Sequence, residues 1–137
     1  MDKKEILDFL NANRDCFLAT VEGDKPHVRA IGMVKADEDG IIIETATFKD
    51  VYKQMVANPN VELCFYNAKE GTQIRVSGAV EPVDDIELKK EIVVMRPFLK
   101  ERIAKGGYEV MGVFRLKGQA YVWSFQNVAE PKKYVQL

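Results

Sequence analysis

Two reversals of direction in the first third of the chain do most to narrow its fold. The run CFLATVE (residues 16–22) is strand-like, and Gly23, Asp24 and Pro26 then supply a turn into a second strand over residues 27–35. A further turn at 37–40 leads into residues 41–45, whose β-branched content marks a third strand. Strands joined by loops this short pair antiparallel, because parallel partners need a crossover of about a dozen residues or more.

The remainder extends the pattern. VELCFYN (61–67) reads as a fourth strand, and TQIRVSGAVEPV (72–83) as a fifth in which Ile74, Val76 and Val80 alternate with Gln73, Arg75 and Ser77. Residues 108–116 and 119–125 read as two more strands, a terminal hairpin turning at Lys117 and Gly118. Helical spacing occurs over 2–13, where Ile6, Leu7 and Leu10 share a face, over 50–58, and in a longer stretch from Asp84 that Pro97 should break near Arg96. About seven strands with helices at the margins give a mainly β (β+α) class, a small β-barrel with peripheral helices in a single domain spanning 1–137. No glycine fingerprint of the dinucleotide or P-loop kind accompanies it.

Twenty Lys and Arg against twenty-one Asp and Glu leave a net charge of −1, so nothing draws the whole molecule to nucleic acid or to an anionic membrane. No apolar run is long enough to span a bilayer. Cys16 and Cys64 stand apart in apolar runs and read as buried thiols, which with the missing signal segment points to a cytoplasmic protein. The single histidine, His27, sits beside a turn, so neither a zinc site nor a histidine-activated nucleophile has support, and no metal is expected. With this inventory, chemistry is most economically carried by a cofactor.

The stretch TATFKDVYKQMVANP (45–59) shows where a cofactor would be held. Thr47 and Asp50 form a capping-box pattern, Pro59 ends the helix at Asn58, and Lys49 and Lys53 share a face beside Tyr52, with Val51 and Met55 on another. Lysine in a first helical turn opposes the macrodipole and the free N–H groups. Either both lysines are solvated and offset by Asp50 and Glu44, or they await a phosphate that also takes hydrogen bonds from Thr45 or Thr47 and Tyr52. Elsewhere, Arg29 and Gly32 (VRAIGM, 28–33) read either as a surface charge and a bulge or as a bed for a flat ring. Gln73, Arg75 and Ser77 read either as a wet strand face or as donors to the same ligand, and Trp123 as core or as a wall.

Taken together, FLATVEGDKPHVRAIGMV, DGIIIETATFKDVYKQMVANPNVELCFYN, TQIRVSGAVE and the closing VWSF resemble the pyridoxamine 5′-phosphate oxidase-like flavin proteins. The resemblance implies the FMN-binding split β-barrel, FMN as cofactor, and a homodimer with flavin at the interface. By position, Arg29, Ala30, Ile31, Gly32 and Met33 would line the flavin ring. Thr45, Lys49, Asp50, Val51, Tyr52 and Lys53 would hold the phosphate end, with Gln54 nearby. Gln73, Arg75 and Ser77 would form a second flavin-facing strand, and Trp123 would reach across the dimer.

Two departures bear on activity. Vitamin B6 oxidases of the family have a Ser-Arg-Lys triplet where this chain has Lys49, Asp50 and Val51, and a longer C-terminal segment with substrate-binding arginines. The expected function is therefore an FMN-dependent oxidoreductase passing hydride or electrons from an NAD(P)H donor to a small-molecule substrate. Its alternatives are a non-catalytic flavin carrier or sensor, or a protein like the nitroimidazole reductases, whose family histidine is replaced in this neighbourhood by Glu44 and Asp50. A barrel binding single-stranded nucleic acid through Phe65, Tyr66, Lys69 and Arg75 is disfavoured by the neutral charge.

Overall fold

The computed structural model describes residues 1–137. Its elements run α1 Lys3–Ala12, β1 Asp15–Glu22, β2 Lys25–Gly32, β3 Lys35–Asp37, β4 Gly40–Ala46, α2 Asp50–Ala57, β5 Asn60–Asn67, β6 Thr72–Pro82, α3 Ile86–Met95, α4 Lys100–Gly106, β7 Met111–Leu116, β8 Gln119–Trp123 and β9 Tyr134–Gln136. All strand pairs are antiparallel, in the order β2-β1-β5-β6-β7-β4-β3, with β8 joining β6 to β9. The split β-barrel with peripheral helices is thus the observed fold.

The long strand β6 gives the barrel its split. Its first half pairs with β8 and its second half with β7, while β5 runs along its other edge. The expected terminal hairpin of residues 108–116 and 119–125 does not form. Leu116 lies opposite Val80 and Gln119 opposite Ser77, one unbroken register on both sides of Lys117 and Gly118. β7 and β8 are therefore two halves of one strand kinked beside β6. The kink needs small residues on both sides: a Cβ at Gly118 would fall 2.5 Å from the Ser77 carbonyl oxygen, and one at Gly78 would fall 3.1 Å from Gly118 Cα. Gly118 imitates a turn residue in sequence, but its work is close backbone approach.

The second expected strand, residues 27–35, is likewise two. β2 ends at Gly32, Met33 and Val34 are fully buried, and β3 starts at Lys35 in the other sheet. At the β1–β2 hairpin the reversal rests on Gly23, at φ 63°, a conformation that suits a two-residue hairpin loop.

The barrel interior is filled by alternate residues of the strands, including Leu18, Ile41, Ile43, Leu63, Phe65, Ile74, Val76, Phe114 and Leu116. α1 closes one end by burying Ile6, Leu7, Phe9 and Leu10, and Asn11 clamps it to β3 by donating to the Ala36 carbonyl at 2.7 Å and accepting from the Ala36 N–H at 3.0 Å. A second, smaller core lies outside the barrel, where Leu88, Ile92 and Val93 of α3 pack on Ile42 and Val113. Each such side chain stabilises the fold by about 1.5–3 kcal/mol. α3 starts on Asp85, whose carboxylate accepts from Glu87 N–H and Leu88 N–H, and it stops before Pro97 with Arg96 in a non-helical conformation. That stop redirects the chain through a short 3₁₀ turn, Pro97–Leu99, into α4.

Candidate functional site

α2 starts at Asp50 as expected, but its N-cap lies two residues beyond Thr47. Lys49 is the N-cap and makes no side-chain capping bond, whereas Thr47 is drawn away: its N–H donates to the Val110 carbonyl at 2.9 Å and its hydroxyl faces the Glu109 carbonyl at 3.5 Å. The capping box of Thr47 and Asp50 therefore does not form. The first-turn N–H groups of α2 are left without a side-chain acceptor, beside a lysine. Lys49 and Lys53 enter none of the ion pairs of the chain.

This helix start opens on a cavity of about 250 Å³ lined by Ala30, Ile31, Gly32, Glu44, Thr45, Lys49, Arg96, Phe98, Leu99 and Arg102. Three stretches of chain meet there. β2 is the last strand of its sheet, so one backbone edge has no strand partner to satisfy its N–H and C=O groups. β4 contributes Glu44 and Thr45. The break at Pro97 contributes the rest: Arg96 swings out of the helix end to donate to the carbonyls of Gly32 at 2.7 Å and Met33 at 2.9 Å, and α4 brings in Arg102.

Electrostatically the cavity is cationic around one carboxylate. Glu44 has only 4% of its side-chain surface accessible, and its Oε2 has no hydrogen-bond partner; Arg102 Nη1 stands 3.9 Å away, beyond hydrogen-bond reach. Burial pushes the Glu44 carboxyl above its ordinary range, outweighing Arg102, Arg96 and Lys49, which act in the opposite direction.

The residues expected to bind a cofactor fall into four groups. Ala30, Ile31, Gly32, Thr45 and Lys49 meet in the cavity. Arg29 and Gln54 meet each other beneath α2: Arg29 donates to Gln54 Oε1 at 2.6 Å and to the Thr20 hydroxyl at 2.7 Å, and Thr20 donates to Gln54 Oε1 at 2.6 Å. Thr20 and Gln54 are buried, and burial lowers the pKa of Arg29. This is a polar clamp holding α2 to β1 and β2.

Met33 and Val51 lie in the core, Asp50 and Lys53 are exposed, and the Tyr52 ring packs on Phe114 and on Gly112, where a Cβ would fall 2.5 Å from a ring carbon. Gln73, Arg75, Ser77 and Trp123 share the outer face of the sheet that β2 edges, Gln73 opposite Trp123 and Arg75 opposite Cys64 and Tyr121. On that face Gln73, Arg75 and Ser77 on β6 lie three strands from β2 and Trp123 on β8 lies four, about 14 and about 19 Å at the usual strand spacing, so one chain does not bring them to the cavity.

Arg96, Phe98, Leu99 and Arg102 line the cavity without having been expected there, and Glu44, expected only as an offset to the lysines, joins them. The signal was the Arg96-Pro97 pair: a proline that stops a helix also frees the preceding side chain to turn elsewhere.

The model of the pyridoxamine 5′-phosphate oxidase family matches residues 2–113. A pyridoxine/pyridoxamine 5′-phosphate oxidase of Rhodopseudomonas palustris (strain HaA2) is 35% identical over 71 residues, 51% of this chain and 34% of that protein, so the chain spans about a third of the length of that relative. Among solved structures, a NimC/NimA family protein from Clostridium acetobutylicum superposes with a TM-score of 0.80 at 32% identity, covering 98% of this chain and 92% of the other. A pyridoxamine 5′-phosphate oxidase-related, FMN binding protein from Nostoc punctiforme superposes at 0.68 with 18% identity, covering 98% and 96%, and shows the shared fold. The family match takes in the edge strand, the helix start and the Pro97 break that together build the cavity, and by it this chain belongs to the pyridoxamine 5′-phosphate oxidase family.

Proposed function

We propose that the chain binds FMN between the two subunits of a homodimer and works in the cytoplasm as a flavin oxidoreductase, passing hydride or electrons from NAD(P)H to a small acceptor. The observation that carries this reading is the meeting of a free strand edge at Ala30, Ile31 and Gly32 with Thr45, Lys49 and the uncapped start of α2 in one cavity. A planar ring with hydrogen-bonding edges suits the first, and a phosphate monoester suits the second. Bound there, FMN supplies the redox chemistry, and the protein supplies grip, orientation and charge.

A cavity of about 250 Å³ falls short of the ~300–1,000 Å³ usual for small-molecule sites, so part of the ligand needs another wall. A second subunit would provide it. The outer sheet face carries Phe17, Val28, Tyr66 and Tyr134, each at least half exposed, and Gln73, Arg75, Ser77 and Trp123 lie on that same face. Joining two such faces would bring these four residues of one chain towards the flavin of the other.

The purified protein should be yellow or should take up added FMN with quenching of flavin fluorescence, and NADH or NADPH should bleach the bound flavin. Flavin that binds but resists reduction would favour a carrier or sensor. A colourless protein indifferent to added FMN would contradict the proposal. The likeness to a NimC/NimA family protein favours nitroimidazoles as a second acceptor class to assay once flavin is bound.

A further inference from the structure

The buried carboxyl of Glu44 has no place in the roles assigned so far. It lies among three cations, Lys49 at the start of α2, Arg96 at the end of α3 and Arg102 on α4; β2 faces it with uncharged Ala30, Ile31 and Gly32, and its cross-strand neighbour on β7 is Val113. Oε2 is unpartnered, and Arg102, with five donors, makes no side-chain hydrogen bond and stacks over Phe48 at 5.9 Å. Lys49 is unpaired as well. An acceptor and two sets of donors thus face one cavity with no hydrogen bond between them, Glu44 and Arg102 meeting only as an ion pair at 3.9 Å, an arrangement that is costly unless something else engages them.

We propose that Glu44 is a proton-coupled ligand of this pocket: a phosphate monoester enters together with a proton, which Glu44 holds while the anion is bound. This rests on the flavin reading above and names how the phosphate end is received. Lys49 and Arg102 turn their donors to the phosphate oxygens, which removes compensating positive charge from the carboxylate and sets a second anion beside it. Both changes favour the neutral acid. The proton comes from solvent and forms an O–H bond on Glu44, and that O–H donates to a phosphate oxygen; no other bond is made or broken. Arg102 then serves as the second phosphate cation that the Lys49-Asp50-Val51 segment lacks.

The test is a fluorescence titration of FMN against the protein from about pH 5 to about pH 9, wild type beside Glu44→Gln. The ratio of their dissociation constants cancels the ionisation of the ligand phosphate itself, near pH 6. Wild type should weaken relative to Glu44→Gln as pH rises, by up to about tenfold per pH unit, because only wild type must acquire a proton. A flat ratio overturns the proposal and leaves the flavin reading standing; no binding by wild type at any pH overturns both. Should Glu44→Gln fail to fold, calorimetry of wild type near pH 7 in two buffers of different ionisation enthalpy counts protons directly. Net uptake with FMN and none with riboflavin is expected, and zero uptake with both overturns the proposal.

Discussion

Single side chains separate the polar groups that satisfy one another from those left without a hydrogen-bond partner. Arg29, Thr20 and Gln54 satisfy one another beneath α2, so removing Gln54 takes an acceptor from a buried hydroxyl and a half-buried guanidinium, which keep only their bond to each other and that of Arg29 to the Leu18 carbonyl. Gln54→Leu should lower unfolding free energy by roughly 2–4 kcal/mol in urea titration, about the cost of the two bonds that Thr20 and Arg29 lose with it. Glu44 behaves in the opposite way. Its folded-state pKa is raised, so the folded protein holds that proton more tightly, and the resulting stability is present below the unfolded pKa and lost as pH rises through the folded one. Without ligand, Glu44→Gln should therefore gain stability over wild type at pH 8 and lose that advantage towards pH 4; an unchanged difference across that range would contradict it. Cys16, pushed up to about 12 mainly by burial, should resist alkylation in the folded protein and react once it is unfolded.

At the scale of elements, local chemistry was most legible where one pattern had one meaning. The strict alternation of Ile74, Val76 and Val80 gave β6, and Pro97 gave the end of α3. It was least legible where one residue type serves two purposes. Gly118 reads as a turn yet marks a kink between β7 and β8, because sequence spacing does not reveal that both strands share one edge of β6. Thr47 reads as a cap, yet its backbone is already held by Val110, a contact from far along the chain. Half of the cavity wall was hidden for the same reason: Arg96 and Arg102 follow Glu44 by 52 and 58 residues and reach it only once the chain has turned at Pro97. Gly118→Val should destabilise by about 2 kcal/mol or more, since its Cβ would meet backbone rather than a movable side chain. Hydrogen exchange should then show the loss of protection centred on β6 and β8; a loss confined to β9 would argue against a shared strand.

For the molecule as a whole, the barrel was readable because its interior follows strand alternation, whereas the proposed dimer would depend on the outer face, where periodicity carries no such constraint. Phe17→Lys with Val28→Lys should leave the barrel folded, yield a monomer in sedimentation, and reduce flavin affinity by tenfold or more if the other subunit walls the site. A monomer that keeps full affinity would confine the site to one chain. The central claim is that a phosphate anchors a planar cofactor at the start of α2, and a direct comparison of FMN with riboflavin in one fluorescence titration tests it most closely. FMN should saturate at one per chain, with riboflavin at least tenfold weaker and Lys49→Ala removing most of that difference, since a charge-assisted bond contributes about 1.5–3 kcal/mol. Equal affinity for the two flavins, or no saturable binding of either, would contradict it.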